Sequence, residues 1–339
     1  MGKRDLMTLV AAGALLIAAP GRAEVSVDAP ASILVFPRVV ADGTRDTIIQ
    51  VTNSGNGTVY ALCWYEAAPS GLPSDDECLA VDFTLALTKQ QPTSWVVSSG
   101  RPSDPSDTPC SNHPPDYDCA GAGFDPGRVP PASAPFDGTL RCIETDATGA
   151  PLSGNHLTGE ATLEDVTTGD VSKYDAIGLR GLEANDGDAT LRIGEEYADC
   201  PELLLFDHAA AGAPMESVPS ARLDTDLTVV QCAADLRTQL ASNRLLQILV
   251  TSEFESRYST SVPLGCRATS RLGDLNQIFT VAVTGSRTVQ TRIRATLDNR
   301  GGLLGIAEEV RSAGPARAVA ATTLHGAGEI GAVDLVQLP

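Results

Sequence analysis

Four histidines, His113, His156, His208 and His325, are the side chains best suited to proton transfer near neutral pH, and they are scattered along the chain. None has a carboxylate or nucleophile at a recognisable motif spacing, and no G-x-S-x-G elbow, H-E-x-x-H helix or P-loop occurs. Each histidine therefore reads as a surface or structural residue rather than a base. Paired acids for glycoside hydrolysis are uninformative here, because with 43 Asp and Glu residues any fold brings two carboxylates together. One acidic cluster stands apart: in EANDGDATLRIGEEYADC, Asn185, Asp186 and Asp188 surround Gly187, with Glu195 and Glu196 following. Oxygen ligands about a glycine turn suit calcium, although the spacing departs from an EF-hand loop. The competing reading is a solvated turn between strands.

The cysteines carry more weight. Cys63, Cys78, Cys110, Cys119, Cys142, Cys200, Cys232 and Cys266 form no C-x-x-C pair of the zinc-site kind. An even number in an exported chain implies four disulfides. Proximity along the chain suggests Cys63 with Cys78, Cys110 with Cys119, Cys142 with Cys200, and Cys232 with Cys266.

Export is expected from the first residues. Lys3 and Arg4 precede the apolar run LMTLVAAGALLIAAP, and Gly21-Arg22-Ala23 offers small residues for cleavage after Ala23. At ~15 residues the run is short of the ~20 that a membrane helix needs, and no later segment approaches it. Cleavage would remove Lys3, Arg4 and Arg22 with Asp5, taking the formal net charge from -19 to -21. An acidic surface repels phosphate backbones, which excludes nucleic acid as a partner.

The elements that must position these groups are strands. Period-two alternation marks 32–40, 46–53, 58–66, 81–88, 94–98, 139–145, 223–232, 245–253, 258–266, 279–284, 289–295 and 303–310, with Gly, Asn, Asp, Ser and Pro between them. The one helical candidate is AADLRTQLASNR, around Leu236. SILVFPRVV reads as an edge strand, with Pro37 at the edge or at a bulge. TIIQVTNSGNGTVYALCWYE reads as a hairpin turning at SGNG. The sequon Asn56-Gly57-Thr58 is accounted for by that turn. Trp64 and Trp95 fall in strands and are expected to be buried rather than to form a sugar platform. Many short strands with regular turn signals mean an all-β fold of sandwiches.

LVFPRV, DTIIQVTNSGN, FTLALTKQQPTSWVVSSG and FDGTLRC resemble the plan of immunoglobulin-like β-sandwich modules in exported bacterial proteins, where a strand ends in V-x-N-x-G and a later one precedes G-x-L. GNHLTGEATLEDVTTGDVSKYDAIGL and LHGAGE fit the same group of secreted proteins. Its motifs are structural and imply no activity. The chain also echoes itself: FTLALT from Phe83 with FTVAVT from Phe279, IIQVT from Ile48 with LLQILVT from Leu245, and GTLRCIE from Gly138 with GLLGIAEE from Gly302. The expectation is a tandem pair of immunoglobulin-like antiparallel sandwiches with disulfide-stapled loops. Its parts are a signal peptide at 1–23, a first sandwich at 24–219 with a Pro-rich insertion at 101–135, and a second sandwich at 220–339.

The function expected is that of a non-enzymatic exported structural or binding protein, without a cofactor, whose partner is an extracellular or periplasmic protein or glycan. Two readings compete with it. One is a secreted hydrolase with a loop-built site supported by calcium. The other is a surface-fibre subunit or chaperone that uses SILVFPRVV to pair with a neighbour's sheet.

Overall fold

The computed structural model describes residues 25–67, 77–103, 125–182, 185–215, 218, 220–296, 301–314, 316–329 and 333–339. The expected signal peptide, Cys110, Cys119, His113 and most of the Pro-rich insertion lie outside them.

Nine strands build the first half: β1 Ile33–Ala41, β2 Arg45–Asn53, β3 Val59–Ala67, β4 Leu79–Leu87, β5 Pro92–Val96, β6 Phe136–Thr145, β7 Leu157–Asp165, β8 Val171–Asp175 and β9 Ile177–Leu179. They form a sheet in the order β4-β3-β6-β1-β9 and a second in the order β5-β2-β7-β8. Phe36, Ile49, Val51, Leu85, Trp95 and Leu140 are buried between the two sheets. Each side chain of this size contributes about 1.5–3 kcal/mol when fully buried.

β10 Thr190–Ile193 follows, and then β11 Pro201–Ala209, β12 Ala213–Pro214, β13 Arg222–Gln231, β14 Ala234–Asp235, β15 Arg244–Ser252, β16 Arg257–Leu264 and β17 Arg267–Arg271. After two helical turns, α1 Leu272–Leu275 and α2 Val281–Thr284, come β18 Thr288–Ala295, β19 Leu303–Ala313, β20 Ala316–Thr323, β21 His325–Glu329 and β22 Asp334–Gln337. One sheet runs β16-β15-β18-β11-β21; the other runs β12-β13-β19-β20, with β17 also on β13. Leu204, Phe206, Leu246, Ile248, Phe279 and Ile293 are buried between them. A small sheet, β10-β22-β14, lies apart from these two pairs.

The chain is thus all-β, with two sandwich-like pairs of antiparallel sheets. The two pairs share one order: β1, β2, β3, β4, β5, β6, β7, β8 and β9 occupy the places that β11, β13, β15, β16, β17, β18, β19, β20 and β21 occupy in the second. β11, on the N-terminal side of the expected boundary at 219/220, pairs with β18 and β21 and so shares a sheet with the later strands.

Four local expectations are corrected by the pairing. β1 is not an edge strand but lies between β6 and β9. Leu34 and Phe36 face the first core, while Ile33 and Val35 face a second cluster on the sheet's other side, which is why SILVFPRVV is apolar without alternation. Pro37 sits at a register shift between Phe36 and Val39, as a residue without an N–H requires. TIIQVTNSGNGTVYALCWYE is no hairpin, because β2 pairs β5 and β7 whereas β3 pairs β4 and β6. The crossing is fixed by buried Asn53, whose Nδ2 donates to the carbonyls of Gly57 (2.7 Å), Leu87 (3.0 Å) and Thr88 (2.9 Å) while its Oδ1 accepts from Gly55 N (2.7 Å). Residues 279–284 form no strand, since Phe279 ends a 3-10 turn and Val281–Thr284 is a helical turn, and the segment around Leu236 is a turn after β14 rather than a helix.

Candidate functional site

Three disulfides are described, and their pairing differs from the one proximity suggested: Cys63–Cys142, Cys78–Cys266 and Cys200–Cys232. Sequence neighbours were the wrong guide because β3 and β6 are adjacent in the sheet, with Cys63 directly opposite Cys142. Cys110 and Cys119 lie outside the described residues. Disulfides in these numbers fit an oxidising compartment. Among the described residues no helix is long and apolar enough to cross a membrane.

The two halves meet along a seam of buried charge. Arg38 of β1 lies 2.8 Å from Glu308 of β19, both almost without solvent contact, and Ser172 Oγ donates to Glu308 Oε1 at 3.0 Å. Arg141 of β6 pairs with Glu66 through Nε at 3.0 Å and donates across the seam to the carbonyls of Cys232 (3.1 Å) and Gln231 (3.3 Å). Arg267 of β17 pairs with Asp137 and donates Nη2 to the Asp137 carbonyl at 2.6 Å, while its Nε has no partner. Such pairs fix geometry more than they add stability, because desolvation offsets most of the attraction.

Beside this seam opens a cleft of about 870 Å³. Its walls come from both halves: Tyr65 on β3, Leu79 and Val81 on β4, Phe136 ahead of the seam, and Leu227, Leu246, Ile248 and Val262 from the second pair of sheets. β4 and β16 are sheet-edge strands in equivalent places, and both contribute to it. Leu79 and Val81 remain about half exposed on the open part of β4. The polar groups are few, chiefly the Arg267–Asp137 pair, Thr269 and Ser270. Tyr65 keeps its proton: burial pushes the phenol above its ordinary range, and its hydroxyl accepts from Trp95 Nε1 at 2.5 Å. A mostly apolar cavity of a few hundred to a thousand Å³ at a junction of units, with few polar groups, has the form of a small-molecule site.

The residues singled out from sequence lie elsewhere. Asn185, Asp186 and Asp188 form a turn in which side-chain oxygens accept from Gly187 N (2.8 Å), Asp188 N (3.0 Å) and Thr190 N (2.6 Å) respectively. The cation among them is Arg192, 3.5 Å from Asp186, 3.9 Å from Asp188 and 3.0 Å from Glu196. Among the described residues no group of three or more His, Cys, Asp or Glu side chains could hold a metal ion. His156 does have a carboxylate: Nδ1 lies 2.8 Å from Oε1 of buried Glu144, whose Oε2 accepts from His156 N at 3.0 Å. No hydroxyl bonds its Nε2 among the described residues, so the pair is a dyad without a nucleophile. His208 is buried against Phe206, and His325 is exposed on β21. Trp95 is buried between the first two sheets, whereas Trp64 is buried on the outer face toward the second half.

Sequence reasoning missed the cleft, because its walls are ordinary strand residues. Arg38, a lone charge inside the apolar run SILVFPRVV, was the available sign that this strand meets a buried partner.

No family model matches the chain, and no curated protein matches it. Among solved structures it is similar to the crystal structure of Thermotoga maritima 1070, at 8% identity over 38% of this chain and 97% of that one, with a TM-score of 0.28.

Proposed function

We propose that this chain is an exported, non-enzymatic binding protein made of two tandem immunoglobulin-like modules, and that the cleft at their junction takes an apolar small molecule. The modular reading rests on strand order. In an immunoglobulin variable domain B and E are neighbours in one sheet, and C′, C, F and G follow one another in the other. Here β2 and β5 match the first relation, and β4, β3 and β6 match C′, C and F, with the place of G beside F taken by β1, the first strand of the set rather than the last; the later half repeats this with β13 and β17, then β16, β15, β18 and β11. Export rests on the leader-like first residues and on the disulfides.

The observation that carries the ligand reading is the composition of the cleft: apolar side chains from both pairs of sheets around about 870 Å³, with its main charged groups already paired. Neither tryptophan is available for stacking on a sugar. The fibre reading loses its particular support, since β1 is hydrogen-bonded on both sides within its own sheet.

The test uses a neutral naphthylamine dye, whose fluorescence rises in apolar surroundings. The oxidised protein should bind it stoichiometrically, and Val81→Trp, which fills the cleft from an exposed wall position, should weaken binding at least tenfold without lowering the melting temperature. Dye binding that is unaffected by Val81→Trp places the ligand elsewhere. Turnover of ester, glycoside or peptide reporters that is lost on His156→Gln would replace the reading with a hydrolase.

A further inference from the structure

The cleft has a wall that chemistry can open. Cys78 stands immediately before β4, Cys266 lies between β16 and β17, and their disulfide spans a sequence separation of 188 to tie one unit to the other. Cys266 and Gly265 line the large cleft on one side and also a cavity of about 300 Å³ on the other, whose lining includes Arg141, Leu236 and Leu240. The disulfide is thus part of the partition between two cavities.

It also differs from the other two in access. Cys63 and Cys142 are 0% exposed, Cys200 is 1% and Cys232 is 0%, whereas Cys78 and Cys266 are only partly buried. Thiol–disulfide exchange needs a thiolate to reach a sulfur, so access decides which bond reacts.

We propose that Cys78–Cys266 is a thiol-exchange site whose reduction by a dithiol opens the cleft; the proposal rests on the cleft being the ligand site. A dithiol thiolate attacks one sulfur, forming a mixed disulfide and releasing the other cysteine as a thiolate. The reagent's second thiol then attacks the mixed disulfide, closing its own ring and releasing the second cysteine. Two electrons pass from the dithiol, which leaves oxidised, and the two reagent protons end on the cysteines. After that, the start of β4 is held to the second unit by the Glu77–Leu240 bridge, made through the bond from Cys78 N to the Gln239 carbonyl at 2.6 Å, and by Gln239 Nε2 donating to the Ala80 carbonyl at 3.4 Å. Hydrogen bonds at an exposed edge open far more readily than a covalent bond.

The experiment takes the full oxidised chain through brief native exposure to dithiothreitol, then alkylation and peptide mapping, with dye uptake followed in parallel. Cys78 and Cys266 should be labelled at least tenfold faster than Cys63, Cys142, Cys200 and Cys232, and the reduced protein should take up the naphthylamine dye several-fold faster. The Cys78→Ser/Cys266→Ser variant should show the fast uptake without reductant and should not respond to it. Equal labelling of all six cysteines overturns the exchange site. Selective labelling with unchanged dye uptake overturns the gating and leaves the cleft as a ligand site. Dye binding insensitive to both reduction and Val81→Trp overturns the cleft reading and the gating with it.

Discussion

His208 gives the most quantitative prediction. Its ring is stacked on Phe206 with centroids 4.8 Å apart and lies 6.3 Å from Phe279, inside the second core. The Ala209 carbonyl, 2.9 Å from Nδ1, can only accept, so the proton sits on Nδ1 and Nε2 accepts from Thr291 Oγ1 at 2.8 Å. Burial dominates and lowers the pKa from 6.5 to about 4, against the opposing pull of the Ala209 carbonyl and the Asp207 charge. In the unfolded chain the same ring takes up its proton near pH 6.5, so the unfolded state binds more protons between pH 6.5 and 4. Stability is therefore full above that window and falls as the pH drops through it. Two and a half pH units at about 1.4 kcal/mol each amount to about 3 kcal/mol. Carboxylates held low by hydrogen bonds also lose stabilisation in acid, for example Asp146 through the Thr148 hydroxyl and Asp165 through the Thr168 amide. Those losses are shared by His208→Gln, which offers a donor and an acceptor but does not titrate. Urea unfolding at pH 7 and pH 4 should show the parent losing about 3 kcal/mol more than the variant. Parallel losses in the two proteins would refute the burial argument.

The seam should behave as a coupled pair. Glu308→Leu alone leaves Arg38 buried without a counter-charge and should cost about 3–5 kcal/mol, whereas Arg38→Met with Glu308→Leu should recover most of that in calorimetry; a double variant as unstable as the single one would remove the coupling. Millimolar calcium should move the melting temperature by less than about a degree, because Arg192 already sits among Asp186, Asp188 and Glu196. A shift of several degrees that disappears on Asp188→Ala would establish a calcium site. A fragment from Ser220 to Pro339 lacks β11, the strand between β18 and β21, and should not unfold cooperatively, whereas one beginning at Asp199 should. Equal behaviour of the two fragments would mean that β11 is dispensable.

Strand content was legible because most strands have one face in a core and one outside. β15 alternates buried with exposed or partly exposed residues along its whole length, and the alternation is in the sequence. The same rule misplaced β1, whose two faces are both covered, because a continuous apolar run does not say how many neighbours a strand has. The supposed hairpin failed for a related reason. SGNG has turn chemistry, but which sheet the next strand joins is decided by Asn53 reaching carbonyls at residues 87 and 88, a contact more than thirty residues away in sequence. No candidate site could be read from local spacing, since the cleft is made where residues from distant strands meet.

The internal echoes are the most instructive failure. IIQVT in β2 was matched with LLQILVT in β15, whose place in the sheet order is that of β3; GTLRCIE in β6 was matched with GLLGIAEE in β19, which takes the place of β7. FTVAVT is not a strand at all. It lies in the connection from β17 to β18, the place that the Pro-rich insertion fills between β5 and β6. Short apolar alternations are too alike to set a register, so shared composition produced a plausible order with every partner displaced. The correspondence between the halves lies in the pairing instead: seven neighbour relations among nine strands recur in the same chain order. Under the tandem reading, like edges also meet. β4 and β16 border one cleft and are tied at Cys78–Cys266, while β8 lies beside β20, with Thr323 Oγ1 donating to the Asp175 carbonyl at 3.4 Å. The rest of the seam is not reciprocal: β1 packs on β13 and β19, without a contact of that extent between β11 and β2 or β7. The cleft, the seam of buried charge and the Cys78–Cys266 link all lie where the two pairs of sheets meet, which is why strands distant in sequence build each of them.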